Sequence, residues 1–324
     1  MMLATLKRFL ALLTLSLLGI CTAAHAAYPD RPIKIIVPWA AGGNVDFVGR
    51  IVALKLSAYL GQTVYVDNVT GASGTIGAGQ VAKAAPDGYT LLVNSVTHVI
   101  VGSLLPHVPY DPIADFTPIG QVSSVPFVMV AQPAAPFDTV PQFIDWARRQ
   151  PAGVAYGSAG IGSTNHLAAA LFASLTNLDL RHIPYKGSAP ALLDVYNGQL
   201  PIMFDATTGV VGAIRAGKLK PIAMASPHRS PLYPQLPTFA ESGQPEMNFA
   251  TWHGLYAPAG TPAAVVERLS HALAQVAADA DFQQKLRDAG AEVTFTQPAA
   301  FLHYNRAERQ RWAEIVRKVG ATSN

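Results

Sequence analysis

The sequence is poor in cysteine and in charge. Its one cysteine is Cys21, and only 13% of its 324 residues are Asp, Glu, Lys or Arg. There is no basic run and no basic–aromatic stripe, which argues against a nucleic-acid surface. The phosphate-binding signature G-x-x-x-x-G-K-[ST] does not occur. Gly157, Gly160 and Gly162 have the wrong spacing for a dinucleotide turn. There is no G-x-S-x-G elbow and no H-E-x-x-H. The nine histidines show no metal-ligand spacing. Nucleophilic and metal-assisted catalysis therefore find no support, and no cofactor is expected.

A single apolar run is present, at the N-terminus. Lys7 and Arg8 precede the apolar stretch Phe9–Ile20, and Ala24-His25-Ala26 fits a small-x-small cleavage site. Residues 1–26 read as a secretory signal peptide, too short for a comfortable membrane span. Ile20 before Cys21 argues against a lipoprotein. Cleavage after Ala26 removes Lys7, Arg8 and Cys21, leaving 21 basic and 20 acidic residues and no cysteine. The expectation is an exported, soluble, disulfide-free protein.

The remaining composition is globular: half of all residues are hydrophobic. Strand-like and helix-like runs alternate. Ile33–Trp39, Thr63–Val69 and Tyr89–Asn94 read as strands. Val45–Leu60 and Ser73–Ala84 read as the helices between them. This βαβαβ order implies a parallel sheet covered on both faces. The alternation pauses at "YDPIADFTPIGQV" and resumes. Strands are expected at Phe127–Ala131, Val154–Tyr156, Leu180–Pro184, Pro201–Phe204 and Leu219–Ala225. Helices are expected at Val140–Arg149, Thr164–Leu175, Ala189–Asn197 and Thr208–Ala216. After a Pro-rich segment come a strand in "NFATWHGLYAP" and helices near Pro262–Ala278, Asp281–Ala289 and Pro298–Val319. Two α/β units in one exported chain suggest a hinged pair with a cleft.

Each unit has one glycine-rich strand-to-helix turn: "VPWAAGGNVDFVGR" (Val37–Arg50) and "VAYGSAGIGSTNHLAAALF" (Val154–Phe172). Free N–H groups and the positive dipole end make each a candidate anion site. Ser158, Ser163 and Thr164 add hydroxyls. No Lys or Arg lies within Ala41 to Asp46 or Ser158 to Thr164, which suits a carboxylate better than a phosphate, although amides alone can bind phosphate; simple helix capping is the alternative. Asp46 reads as a first-turn acid favoured by the dipole, and His166 as a capping or packing residue. Asp205, at the end of "PIMFD", is open between ligand contact and capping.

The stretches "VPWAAGGNVDFVGR", "GASGTIGAGQVAKAAPDGYTLL", "YDPIADFTPI", "IPYKGSAPALLDVYNGQLPIMFD", "GKLKPIAMAS" and "TFAESG" together resemble the Bug family, the TctC-like receptors of tripartite tricarboxylate transporters. The resemblance runs from Tyr28 to the C-terminal helix. It implies an α/β, type II periplasmic-binding-protein fold with two α/β domains, a hinge and an interdomain ligand cleft. Domain 1 would comprise 27–124 plus 227–324, and domain 2 would comprise 125–226. Hinges would lie near Val122–Pro126 and Ala225–Pro227. The resemblance further implies a monomeric periplasmic receptor for a small organic acid, docking on transporter subunits in the membrane. A signalling sensor with the same clamp, or a receptor for an aromatic acid or its amide, are the alternatives; Trp39 and Tyr185 could stack a ring.

The ligand carboxylate would sit between Ala41, Gly42, Gly43, Asn44, Val45 and Asp46 on one side and Ser158 to Thr164, with Gly162 and Ser163, on the other. Trp39, Ser95, Thr97, Tyr185 and Asp205 would meet the rest of the ligand. Two departures stand out. The family often has Gly-Thr where this chain has Asn44-Val45, and Glu where it has Ala170.

Overall fold

The computed structural model describes residues 28–105 and 107–319. The expected signal peptide, including Cys21, lies outside the described residues. No helix of the described residues is long and apolar enough to cross a membrane.

The first three strands are β1 (Ile33–Val37), β2 (Val64–Asn68) and β3 (Thr90–Ser95). They pair in parallel, with β1 in the middle. Helix α1 (Asn44–Leu60) connects β1 to β2. Its buried residues Val45, Val48, Val52 and Leu56 recur every three or four positions, so one stripe faces the sheet. At Gly49 an added Cβ would come within 2.8 Å of Val37 Cγ2, so glycine lets the helix lie close against β1. Gly61 ends α1 in the left-handed conformation. A 3₁₀ turn (Ala72–Gly74) leads into α2 (Thr75–Ala82). Helix α3 (Thr97–Leu104) follows β3 directly.

Strand β4 (Phe116–Ala131) is 16 residues long and joins the two halves of the molecule. Its first part pairs antiparallel with β9 (Ala250–Pro258) and β10 (Glu292–Thr296). From Phe127 onward it pairs antiparallel with β7 (Ile202–Ala206) and β8 (Lys220–Ala225). Strands β5 (Val154–Ser158) and β6 (Leu180–Pro184) complete the second half, with β5 parallel to both β6 and β7. The strand order is β2-β1-β3-β9-β4-β7-β5-β6, with β8 and β10 also on β4. The sheet is thus mixed rather than all parallel, because β9 and β4 run against their neighbours. Side chains on β4 alternate between two cores: Phe127, Met129 and Ala131 join the larger one, Val128 and Val130 the smaller.

The second half carries α4 (Val140–Ala147), α5 (Thr164–Thr176), α6 (Ser188–Tyr196) and α7 (Thr207–Arg215). The chain ends with α8 (Ala263–Ala278), α9 (Ala280–Asp288) and α10 (Pro298–Val319). Helix α10 packs on α3, β4 and α5, so it touches both halves. It is held by Glu308, a buried carboxylate that accepts the indole N–H groups of Trp252 and Trp312, each at 3.0 Å.

Three elements depart from the sequence reading. Phe116–Val125, within and just after the expected pause, is strand. Pro118 and Gly120 fall at register shifts of the β4–β9 pairing, so bulges absorb both residues. Residues 97–104 form a helix that was not anticipated. Glu292–Thr296 forms a short strand that was also not anticipated.

Candidate functional site

The two glycine-rich turns meet across a cleft and share one local design. In the first, Gly42 has φ +83° and Gly43 is the N-cap of α1. In the second, Gly162 has φ +77° and Ser163 is the N-cap of α5. In both, the residue four positions after the left-handed glycine turns back to accept its N–H. Gly42 N donates to Asp46 Oδ2 at 2.9 Å, and Gly162 N donates to His166 Nδ1 at 3.1 Å. Each turn is therefore pinned to its own helix by a third-residue side chain, an acid in one and a neutral imidazole in the other.

Asp46 is almost fully buried and fully engaged. Arg50 Nε donates to Oδ2 and Asn68 Nδ2 to Oδ1, both at 2.9 Å. Burial raises its pKa, but the hydrogen bonds from Arg50, Gly42 and Asn68 outweigh it and hold the carboxyl below its usual value. His166 stacks on His182 with ring centroids 4.0 Å apart. Burial lowers His166 to about 4, and burial with the neighbouring His166 lowers His182 to about 3. Both are neutral at pH 7, which leaves Nδ1 of His166 free to accept from Gly162.

Between the turns lies a small chamber lined by Trp39, Ala40, Gly43, Asn44, Val45, Ser95, Thr97, Ala159, Ser163, Thr164, Asn165 and Ser188. A second space adjoins it through Trp39 and Ala159. It is lined by residues 70–74 and by Tyr185 and Lys186, among others. The two sides touch across the cleft: Ser73 Oγ donates to Ile161 O. An added Cβ on Gly187 would come within 2.8 Å of Ala40 Cβ.

Nine of the expected residues line the first chamber: Trp39, Gly43, Asn44, Val45, Ser95, Thr97, Ser163 and Thr164, with Ala159 from the stretch Ser158 to Thr164. Trp39 offers its ring, because its Nε1 donates to Asn94 Oδ1 at 2.9 Å. Asn44 Oδ1 accepts Val45 N at 2.9 Å, which leaves Nδ2 as its donor, 3.5 Å from His253 Nε2. Ser95 Oγ bonds to Thr97 Oγ1 at 3.2 Å. Ser163 Oγ is used within its own turn, donating to Gly160 O at 2.7 Å. The first-turn N–H groups of Asn44, Thr164 and Asn165 have no intrahelical acceptor.

The other expected residues sit elsewhere. Ala41 and Gly42 lie on the exposed outside of the first turn. Asp46 and Gly162 are occupied with pinning their turns. Ser158 is fully buried, accepts Gly160 N at 3.0 Å and bonds to His182. Tyr185 faces the second space, and its hydroxyl donates to Asp194. Asp205 lies behind the chamber wall, where Oδ1 accepts from Asn165 Nδ2 and Ala206 N, both at 2.8 Å. Burial raises its pKa to about 7, against the hydrogen bonds from Asn165, Ala206 and Ser188 that lower it. The sequence reading missed Ala40, Asn165 and Ser188. Asn165 follows two recognised site residues, and Ser188 lies inside the quoted "PYKGSAPAL"; first-turn helix position is the signal both share.

Among the described residues no group of His, Cys, Asp and Glu is placed to hold a metal ion. The chamber walls carry no Lys, Arg, Asp or Glu. The site offers neutral donors and one aromatic face, which is a binding surface without a nucleophile or an activated base.

Comparison with known proteins fits this geometry. The sequence profile of the tripartite tricarboxylate transporter family receptor, TctC, matches residues 48–321. Protein BugT of Bordetella pertussis is 36% identical, with 93% of this chain and 95% of BugT aligned. A protein encoded between tcbD and tcbE in a Pseudomonas species is also 36% identical, over 96% of this chain and 93% of its own. Among solved structures, the periplasmic binding protein BugD superposes with a TM-score of 0.88 at 37% identity, covering 92% of this chain and all of BugD. MatC from Rhodopseudomonas palustris, solved with malate, gives 0.85 at 32% identity, covering 89% of this chain and 100% of MatC. An R. palustris protein solved with adipate gives 0.89 at 33% identity, covering 91% of this chain and 99% of its own. The family is one of periplasmic solute-binding receptors and not of enzymes. The chain belongs to the TctC, or Bug, family of tripartite tricarboxylate transporter receptors.

Proposed function

We propose that this receptor captures a small organic carboxylate between the two matched turns and delivers it to the membrane subunits of a tripartite transporter. The observation that carries the reading is the donor set of the first chamber. Two helix N-termini, the Asn44 amide and the Thr97 and Thr164 hydroxyls converge there, with no charged side chain in the wall. A carboxylate matches such donors, each charge-assisted hydrogen bond contributing about 1.5–3 kcal/mol. Micromolar binding needs about 8 kcal/mol net, which four or five such bonds can supply after ordering costs. The rest of the ligand extends past the Trp39 ring into the second space, toward Lys186. Relatives solved with malate and adipate support a small organic acid as the ligand.

The proposed moving bodies are 27–124 with 227–324, and 125–226. The change of partners on β4 near Pro126 and the end of β8 at Ala225 support hinges there. Export to the periplasm after cleavage at Ala26, and a monomeric state, belong to the same reading.

The test is a thermal-shift panel on residues 27–324, unfolded and refolded to strip ligand, with di- and tricarboxylates, aromatic acids and their amides. A rise of several degrees for an acid and none for its amide supports the clamp. Equal rises for both contradict it.

A further inference from the structure

Asn165 adds a second requirement on the ligand. Its side-chain amide has two hydrogens and both are given away, to Phe204 O at 2.9 Å and Asp205 Oδ1 at 2.8 Å. Reversing the amide would set its oxygen against those two oxygens, so the orientation is fixed by chemistry. The one free polar atom of this side chain is Oδ1, and Asn165 lines the chamber. On the facing turn Asn44 is fixed the opposite way, its oxygen occupied by Val45 N and its Nδ2 left as donor. The chamber therefore has a donor side and, at Asn165, an acceptor.

We propose that Asn165 selects ligands carrying a neutral hydrogen-bond donor, a hydroxyl, beside the clamped carboxylate. A plain carboxylate leaves Oδ1 desolvated and unpaired in the cleft, which is costly. A hydroxyl pairs with it. An ammonium group would also donate, but Asn165 stands in the first turn of α5, where the positive helix end disfavours a cation. Asp205 acts here as a positioning residue: it accepts one amide hydrogen and so keeps Oδ1 turned to the ligand. This inference rests on the carboxylate reading above and narrows it to hydroxycarboxylates.

The experiment is calorimetry on residues 27–324 with pairs that differ by one group: lactate and propionate, malate and succinate, 2-hydroxyadipate and adipate, and aspartate as the ammonium counterpart of malate. The expected result is a preference for the hydroxy acid of about tenfold or more in the best-binding pair, with aspartate weaker than malate. In Asn165→Ala the preference falls to within about threefold while the unsubstituted acid keeps measurable binding. If that variant fails to fold, Asp205→Ala, which releases the amide to rotate, must also reduce the ratio. Equal binding of hydroxy and plain acids by the wild-type protein overturns the proposal and leaves the clamp standing, as does a preference that survives the substitutions. Tighter binding of aspartate than malate overturns the neutral-donor requirement. Binding of amides in place of acids overturns the carboxylate reading and this inference with it.

Discussion

Asp46 and His166 occupy the same place in two turns, and their chemistry predicts different sensitivities. Asp46 accepts from Gly42, Arg50 and Asn68 while almost fully buried. Replacing it with Ala leaves three donors without their acceptor and frees the turn. We expect Asp46→Ala to destabilise the protein by about 2–4 kcal/mol and to weaken ligand binding by about tenfold or more. Asp46→Asn should fall between, because one acceptor oxygen remains. Urea unfolding and calorimetry check both; unchanged binding in a folded Asp46→Ala protein would show that the first turn holds its shape without the pin. The sequence made Asp46 visible as a first-turn acid, but not its direction. A carboxylate four residues after a left-handed glycine can face the ligand or the turn, and only the positions of Arg50 and Asn68 decide it.

At the scale of elements, the central joint is β9 under α10. Gly254 lies on β9 directly beneath Phe301, and an added Cβ would stand 2.2 Å from the ring's Cζ. Phe301 is fully buried, so the ring has nowhere to retreat. Gly254→Ala should cost about 1–3 kcal/mol and loosen α10, read as a lower Tm and faster hydrogen exchange along that helix. An unchanged Tm would mean that α10 docks with slack the packing does not show. Most elements were legible from periodicity and turn residues: α10 was expected at Pro298–Val319 and found there. Helix α3 was missed because "THVIVGSL" has only a short apolar run at its centre, which reads as strand or helix alike. The first part of β4 was missed because Pro118 and Gly120 look like breakers, whereas bulges opposite β9 accommodate them. The short strand β10 gains its structure from pairing with β4, which local sequence does not encode. The same limit applies to the chamber: Asn165 and Ser188 become wall residues only when the two turns face each other.

For the whole molecule, burial of histidine sets the acid limit of stability. Burial holds His98 and His166 at about 4 and His253 at about 3, and burial with the neighbouring His166 holds His182 at about 3. Unfolded histidines take up protons below about 6.5, whereas these stay neutral to much lower pH. The unfolded state therefore binds more protons, and stability falls as pH drops from about 6.5 toward 4. Asp205 acts in the opposite sense. It is raised to about 7, so its contribution is lost as pH rises from the unfolded carboxyl value through 7. Four histidines outweigh one carboxyl, so Tm should be lower at pH 5 than at pH 7.5 by about 5 °C or more. A flat profile across that range would mean that the histidines gain protons in the folded state.

The hydrogen bond across the cleft adds a second expectation at this scale. Ser73 Oγ bonds to Ile161 O from a turn in which Ala72 and Ser73 both have positive φ. Such backbone is held at a cost, and it places the hydroxyl across the cleft. Ser73→Ala should shift the unliganded protein toward an open form, seen as a larger radius of gyration in solution scattering, and added ligand should restore the compact value. An identical radius with and without the hydroxyl would remove this bond from the closure mechanism.

The carboxylate clamp is tested most directly by one calorimetric comparison: the tightest-binding acid against its primary amide, on the wild-type receptor and on Thr164→Val. The clamp predicts that the acid binds the wild type at least about tenfold more tightly than the amide, and that losing the Thr164 hydroxyl weakens the acid more than the amide. Equal affinity for acid and amide on the wild-type receptor would contradict it.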